Sequence, residues 1–230
     1  RMLMLEKIDK RLSAVASLIN KSEYMCDIGT DHAYLPCYLI KSNICKRCFA
    51  CDINQLPLNF AKKNIEKNGL SDKIATVLSN GLENVNPDFA TEIVIAGMGG
   101  ELISTIIDNW QYSREKNRHF ILQPMTKIDI LRRYLCENGF EIIREIPVLE
   151  ENHCYVAMSV YFKNKPFTPS DLFCKIGLIP NEKSENAKKY VKYILDKTTK
   201  ILHSKSLSKQ ENIDKDEEMF LQLKKIFEEM

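Results

Sequence analysis

Hydrophobic positions along the chain alternate between two spacings. Short apolar runs predict strands over residues 24–27, 48–52, 74–78, 92–96 and 119–122. Apolar positions at helical spacing predict helices over residues 6–20, 33–40, 56–68, 102–109 and 128–137. Because parallel strands need a crossover to return to the same edge of a sheet, this alternation predicts an α/β fold built on a parallel sheet.

The pattern changes after Gly139. Residues 140–150 and 153–162 are two long strand-like runs with a short link, which predicts an antiparallel hairpin at one edge of the sheet. Five βα units and a hairpin make a Rossmann-like sheet of seven strands, whereas a plain dinucleotide-binding fold has six parallel strands. The hairpin ending is typical of class I methyltransferases, a resemblance at the level of the fold.

The last third of the chain is predicted to be helical. Three prolines in 163–181 indicate a linker with one short element, and two helices with facing apolar stripes then follow, joined by the polar residues 203–212. We therefore expect a methyltransferase-like domain over 1–163, a linker over 164–181 and a helical coiled-coil hairpin over 182–230.

Composition narrows the class of protein. Hydrophobic residues make up 44% of 230, enough for a core, and no apolar run approaches the roughly 20 residues of a membrane helix. No secretory signal opens the sequence, so a cytoplasmic protein without a membrane partner is expected. Cys45, Cys48 and Cys51 are spaced as metal ligands can be, but no fourth cysteine follows and the segment has the pattern of a buried strand, so no metal is expected.

Charge is uneven although the net charge is only +2. Residues 183–209 hold eight lysines and two acids, whereas residues 211–229 hold seven acids and three lysines. A solvated basic helix beside an acidic one is the favoured interpretation, and contact of the basic helix with an RNA backbone is the alternative.

Ligands of doubly wound sheets bind at the carboxyl ends of the strands. The first strand ends in Asp27, Gly29, Thr30, Asp31 and His32, where glycine permits close approach and the acids suit a charged amino-acid ligand. No G-x-G-x-x-G is present, so a pyrophosphate ligand is poorly supported.

Polar residues also follow the second and third strands. Asp52 is placed to accept both ribose hydroxyls of an adenosine group, and Asn80 before Gly81 could bind an adenine amino group. After the fourth strand, Gly97, Met98, Gly99 and Gly100 predict a backbone pressed against a ligand or a substrate base, with tight packing of strand on helix as the alternative.

Three segments make the sequence recognisable. DIGTDHAYLP at 27–36, IAGMGGELI at 95–103 and LQP at 122–124 resemble, in this order and spacing, the bacterial TrmK family of tRNA adenine-N1 methyltransferases. The resemblance runs from about Lys10 to the end of the chain. It implies S-adenosyl-L-methionine as cofactor, S-adenosyl-L-homocysteine as product, and the adenosine at position 22 of tRNA as target.

The resemblance also assigns residues. It implies cofactor contacts at Asp27, Gly29, Asp52, Asn80, Gly81 and Gly97 and makes Asp31 the catalytic candidate, with IAGMGG in place of the Asn-Pro-Pro-Tyr motif of amino-directed enzymes. This chain departs from the family at Asn80, where Asp is common, and at Met125, where Asn is common.

Attack of adenine N1 on a methyl group needs little prior base catalysis, so Asp31 is expected to stabilise positive charge at the amino edge or accept its proton. His32 and Tyr34 are expected to position the base. Phosphate contacts are expected from a group of basic residues that comprises Lys10, Arg11, Arg132, Arg133, Lys188, Lys189 and Lys192.

Three other functions stay open at the level of sequence. They are a nicotinamide-dependent oxidoreductase, a non-catalytic RNA-binding protein with a vestigial pocket, and a methyltransferase for another RNA position or a small molecule. A monomer is expected, with dimerisation through the helical hairpin as the alternative.

Overall fold

The structure is a computed structural model that describes residues 8–150, 153–208 and 213–230. Seven strands form one sheet in the order β3-β2-β1-β4-β5-β7-β6. They are β1 Ser22–Ile28, β2 Cys45–Asp52, β3 Ile74–Leu78, β4 Glu92–Gly99, β5 His119–Thr126, β6 Phe140–Glu150 and β7 His153–Phe162. The first five strands are parallel and β7 runs antiparallel between β5 and β6, which confirms the predicted fold class.

Helices cover both faces of the sheet. They are α1 Lys10–Leu18, α2 Tyr34–Lys41, α3 Gln55–Lys67, α4 Gly100–Asn109, α5 Ile128–Glu137, α6 Asp171–Ile176, α7 Glu185–Ser208 and α8 Ile213–Glu229. Strand residues alternate between two core clusters: in β4, Ile93 and Ile95 face the α4 and α5 side, whereas Val94 faces the α1 to α3 side. This burial on both faces explains the continuous apolar runs of the central strands.

Four strands are longer than predicted: β1 and β2 begin earlier, at Ser22 and Cys45, and β4 and β5 end later. β4 and β5 were expected to end at residues 96 and 122, but they continue to pair through Met98 with Pro124 and Gly99 with Thr126, beyond a bulge at Gly97. Glycines and a proline signal a loop in the sequence, and only the pairing between the two strands keeps them extended.

The first helix is shorter than the predicted span 6–20. It begins at Lys10, because the Asp9 carboxylate caps it by accepting a hydrogen bond from the Leu12 N–H at 2.6 Å. Residues 6 and 7 lie outside the described part of the chain.

The segment after β7 holds two short elements where one was predicted, namely α6 and a 3-10 turn at Ile179–Glu182. Cys174, Ile176 and Ile179 are buried, so the segment packs against the sheet domain. Ala187 and Tyr190 of α7 and Leu223 of α8 join the same core cluster. The domain boundaries proposed from the sequence stay a prediction.

Burial along α7 weakens toward its end, from buried Ala187 and Val191 to exposed Ile201. No helix within the described residues is long and apolar enough to cross a bilayer.

Candidate functional site

A cavity of about 390 Å³ opens where the carboxyl ends of β1 and β4 meet the first turn of α1. The predicted residues Asp27, Gly29, Thr30, Asp31 and His32 line it. Its other lining residues come from the same loop and the start of α2, from the cap and first turn of α1 and from the end of β4, and they are Asp9, Arg11, Leu12, Ala33, Tyr34, Leu35, Ala96 and Gly97. Residues predicted from three separate segments therefore share one cavity.

The two glycines of this cavity adopt backbone conformations that other residues rarely take. Gly29 has φ +80°, and both its N–H and that of Thr30 donate to the Cys51 carbonyl, at 2.8 and 2.9 Å. Gly97 has φ +81° at the bulge of β4. Both conformations cost an L side chain free energy, which accounts for glycine at these positions.

Asp27 is a buried carboxyl group at the cavity floor. Burial raises its pKa to about 6; the nearby Asp52 adds to the rise, while the Thr30 hydroxyl and the Arg11 charge act in the opposite direction. A buried carboxylate with a raised pKa is one that a bound cation would stabilise, so this position suits an ammonium group.

Arg11 lies in the cavity, although the sequence suggested a phosphate contact on the surface. Its Nη1 donates to Gln123 Oε1 at 2.8 Å, and the Gly97 N–H donates to the same oxygen at 3.1 Å. The fully buried Gln123 amide thereby orients both a cation and a backbone amide at the cavity. Gln123 lies in the recognisable LQP segment, yet nothing in the pattern of the sequence indicates this role.

Asp31 and His32 lie at the mouth of the cavity. The Asp31 carboxylate is 73% exposed, and its Oδ2 is 3.3 Å from His32 Nε2. The His32 ring contacts the Tyr34 ring with 5.2 Å between centroids. A carboxylate next to aromatic rings at an open mouth can contact a base that enters from outside.

Asp52 ends β2 and Asn80 follows β3 at the carboxyl edge of the sheet, and neither lines this cavity. The Ser79 N–H donates to the Asp52 carbonyl at 2.9 Å, which keeps the ends of β2 and β3 together. The Asn80 amide donates to Glu83 Oε1 at 2.8 Å, and a Cβ on Gly81 would come within 3.0 Å of Ile106. The structure thus gives Gly81 a packing role against α4.

The residues of the glycine-rich segment 97–100 also differ in whether they face the cavity or pack within the protein. Gly97 faces the cavity, and a Cβ on Gly29 would lie 2.1 Å from Met98 Cε, so Met98 packs on the first loop. A Cβ on Gly100 would lie 2.2 Å from the Lys127 carbonyl. Gly100 therefore serves the packing of α4 against α5, and its predicted contact with substrate stays a prediction. Gly99 likewise lies close to Thr126.

Most of the basic residues predicted to bind phosphate have partners within the protein. Arg132 is wholly buried with Glu145, at 2.9 Å between Nε and Oε1, and the prediction that it contacts RNA is wrong because no solvent reaches it. Arg133 pairs with Asp171 at 2.6 Å. Lys188 and Lys192 lie over the Phe227 ring of α8, at 5.3 and 6.0 Å.

Lys10 and Lys189 come together. Both line a second cavity of about 680 Å³ between α1, β6 and the start of α7. Lys189 also pairs with Glu185 at 3.2 Å. The first turn of α1 separates this cavity from the first, since Asp9 and Arg11 line one and Lys10 and Ser13 line the other.

The cysteine run gives no metal site. Cys45, Cys48 and Cys51 are buried in β2, and burial raises the pKa of the Cys51 thiol well above its usual range. Within residues 8–150, 153–208 and 213–230, no group of three or more histidines, cysteines and acids is arranged to hold a metal ion.

Comparison with known proteins gives consistent matches. Residues 8–158 match the family described as "Methyltransferase domain". The tRNA (adenine(22)-N(1))-methyltransferase of Bacillus subtilis is 36% identical over 149 residues, which are 65% of this chain and 63% of that protein. The chain thus aligns in sequence with a little under two thirds of that relative's length.

Two solved structures extend the likeness over almost the whole chain. The structure of M. capricolum TrmK with S-adenosyl-homocysteine is 34% identical, with a TM-score of 0.75 over 95% of this chain and 96% of that one. Sp1610 of Streptococcus pneumoniae with S-adenosyl-L-methionine is 29% identical, with a TM-score of 0.80 over 96% and 100%. From its fold, its cavity and these matches, the chain belongs to the TrmK family of methyltransferases.

Proposed function

We propose that this protein transfers a methyl group from S-adenosyl-L-methionine to N1 of an unpaired adenosine in tRNA, at position 22, and releases S-adenosyl-L-homocysteine. The observation that carries the proposal is the cavity in which Asp27 and Arg11 meet the glycine backbones of β1 and β4, in a chain of the TrmK family.

The cavity fits the amino-acid end of this cofactor. That end carries an ammonium and a carboxylate, and the cavity offers a buried acid, Asp27, and a cation, Arg11. At Gly97 a Cβ would lie 3.8 Å from Arg11 Nη1, so glycine leaves room beside this cation. Asp52, at the end of the neighbouring strand, would hold the ribose hydroxyls.

The protein's part in the reaction is to place and stabilise the base. When bound, S-adenosyl-L-methionine supplies an electrophilic methyl group. N1 of adenine attacks through its own lone pair, so no residue needs to remove a proton first. Methylation leaves positive charge on the ring and makes the amino group more acidic, and Asp31 at the mouth would accept a hydrogen bond or the proton there. Tyr34 would hold the ring, since alignment of N1 with the methyl group is a large part of catalysis.

N1 lies on the Watson–Crick edge, so the target base must be unpaired or extruded. Contacts of one unpaired base with the first cavity need further contacts between the protein and the RNA backbone. The second cavity offers Lys10 and Lys189 for such contacts on the other side of α1. These two lysines are the members of the predicted basic group that we retain for phosphate contact.

We further propose a monomer in the cytoplasm. The buried face of α7 packs against α8 and β6 of the same chain, through Ala187, Tyr190 and Val191, so it needs no second copy to cover it.

The test is transfer of label from S-adenosyl-L-methionine to unmodified tRNA transcripts, followed by mapping of the methylated nucleoside. We expect label on N1 of one unpaired adenosine and its loss when that base alone is changed. Cofactor binding without transfer to any tRNA would contradict the proposal and favour another acceptor.

Asp31→Ala tests the assigned catalytic group. Because Asp31 is exposed and acts on the substrate, the variant should bind cofactor and tRNA normally while kcat falls by about 10²-fold or more. Near-normal turnover would remove Asp31 from the mechanism.

A further inference from the structure

An aromatic surface extends from the cavity mouth to helix α3. The His32 ring lies between two others, with centroids 5.2 Å from Tyr34 and 5.4 Å from Phe60. Tyr34 is 48% exposed and Phe60 is 41% exposed. Large exposed apolar rings beside a cavity are a mark of a binding surface.

Phe60 stands outside the cavity. Tyr34 and His32 line the cavity, whereas Phe60 does not and reaches the site through its contact with His32. Asn64, one helical turn after Phe60, donates from Nδ2 to the His32 carbonyl at 2.8 Å. This bond fixes α3 to the loop, so the three rings keep a common arrangement.

We propose that Phe60, together with His32, stacks on the nucleobase next to the methylated adenosine. The inference rests on the proposed function. Extrusion of the target base takes a stacking partner from its neighbour, and an exposed aromatic face replaces that partner without reading the sequence. Tyr34 is placed for the base that enters the cavity, and Phe60, one ring further out, is placed for the base that stays outside.

The alternative role for Phe60 is to pack on the His32 ring and hold it next to Asp31, without contact with RNA. That role needs bulk in place of a π-face and would change turnover more than RNA affinity. A test must therefore separate tRNA affinity from kcat and compare a ring with an aliphatic side chain.

Three variants make the comparison. Phe60→Leu keeps an apolar side chain and removes the ring, whereas Phe60→Trp keeps an aromatic face. Phe167→Leu is the matched control, because Phe167 is 53% exposed, contacts another ring at Phe173 and lies in the segment after β7. Each variant is first titrated with S-adenosyl-L-methionine, and unchanged cofactor affinity shows that the site is folded.

We expect Phe60→Leu to weaken tRNA affinity about fivefold to a hundredfold with kcat at saturating tRNA within twofold, and Phe60→Trp and Phe167→Leu to match the wild type. The native Trp110 is only 5% exposed, so the tryptophan of Phe60→Trp reports on the surface, and its fluorescence should be quenched saturably by tRNA.

A tRNA with an abasic nucleotide beside the target locates the contact. On one of the two sides of the target adenosine, removal of the neighbouring base should weaken binding of the tRNA to the wild-type protein. The same removal should abolish the difference in tRNA affinity between the wild type and Phe60→Leu. A persistent difference with either neighbour removed, or Phe60→Leu binding tRNA as the wild type does, would overturn the inference. Absence of any methyl transfer by the wild type would instead overturn the proposed function.

Discussion

The buried Asp27 carboxylate destabilises the fold when it is ionised and is also the group that we propose binds the cofactor ammonium. Its carboxyl group is buried beside β4, and burial raises its pKa to about 6 from an ordinary value of 3.8. A raised carboxyl pKa means that the folded protein favours the neutral form. The stability from this preference is fully present below pH 3.8 and is lost as the pH rises through about 6. Above pH 6 the empty site therefore carries an unfavourable charge that the cofactor ammonium would offset.

Asp27→Asn should separate these two effects. At pH 8 we expect the free energy of unfolding of the variant to exceed that of the wild type by on the order of 3 kcal/mol, so the variant is the more stable protein. At pH 4 this difference should vanish. Cofactor affinity should fall at least tenfold, because the ammonium loses its partner.

Urea unfolding at both pH values and calorimetric titration with S-adenosyl-L-methionine measure the two quantities. Asp31→Asn is the control, since it makes the same substitution at an exposed carboxylate. An equal stability difference at pH 4 and pH 8 would mean that ionisation of Asp27 is not the cause.

Among the elements, α1 decides where Arg11 stands. Its first turn forms a wall of the cavity that we propose holds the cofactor, and its other end is held at the amino edge of the sheet by Asn20. The Asn20 N–H and side chain donate to the two oxygens of Glu92, both at 3.1 Å, and the side chain also donates to the Tyr161 hydroxyl at 2.9 Å. The Glu92 carboxylate is itself 2.7 Å from His119 Nδ1. Glu92 and His119 are buried and Asn20 is exposed, and their network fixes one end of the helix whose other end presents Arg11.

Asn20→Ala should therefore loosen α1. We expect a loss of about 1–3 kcal/mol in unfolding free energy, because the buried Glu92 carboxylate loses its side-chain donor, and faster amide exchange along α1. Cofactor affinity should fall although Asn20 does not line the cavity.

Ser17→Ala is a suitable control, because the Ser17 hydroxyl donates to the Ala14 carbonyl of its own helix. Unchanged exchange along α1 in Asn20→Ala would show that the helix is held by its apolar face alone.

At the scale of the whole molecule, a buried ion pair joins the sheet to the carboxyl-terminal helices. Arg132 of α5 bonds to Glu145 of β6 and donates to the Cys174 and Lys175 carbonyls of α6 at 3.0 and 2.8 Å. The Tyr190 hydroxyl of α7 also donates to the Lys175 carbonyl, at 3.2 Å. Glu145 accepts in addition from the Leu178 N–H at 2.6 Å. Four elements thus depend on one cluster of charges.

Arg132→Met should be strongly destabilising. The variant leaves Glu145 buried without its cation, and we expect a loss of about 3–5 kcal/mol in unfolding free energy. Amide hydrogen exchange should become faster in α6 and in the first turns of α7 before it does so in the sheet. Arg133→Met, which removes an exposed pair with Asp171, is the matched control and should cost less than about 1 kcal/mol. Equal losses in the two variants would contradict a joining role for Arg132.

The sequence alone determined the strand and helix order, the antiparallel hairpin and the first loop. Periodicity records which face of an element is buried, so spans such as Ile74–Leu78 and Ile128–Glu137 agree with the structure residue for residue. Asp27, Gly29 and Asp31 at the end of β1 predicted a ligand site there because carboxyl strand ends meet at one sheet edge, and the structure places these three residues around one cavity.

Tertiary structure decided the rest. Arg132 is buried and its neighbour Arg133 reaches the surface, because helical spacing turns one inward and the other outward. Only the packed helix shows which way each side chain faces. The roles of Gln123 and Phe60 depend on contacts with residues 112 and 28 positions away, Arg11 and His32. A local pattern carries no record of such partners, since the distance between them is set by folding and not by spacing along the chain.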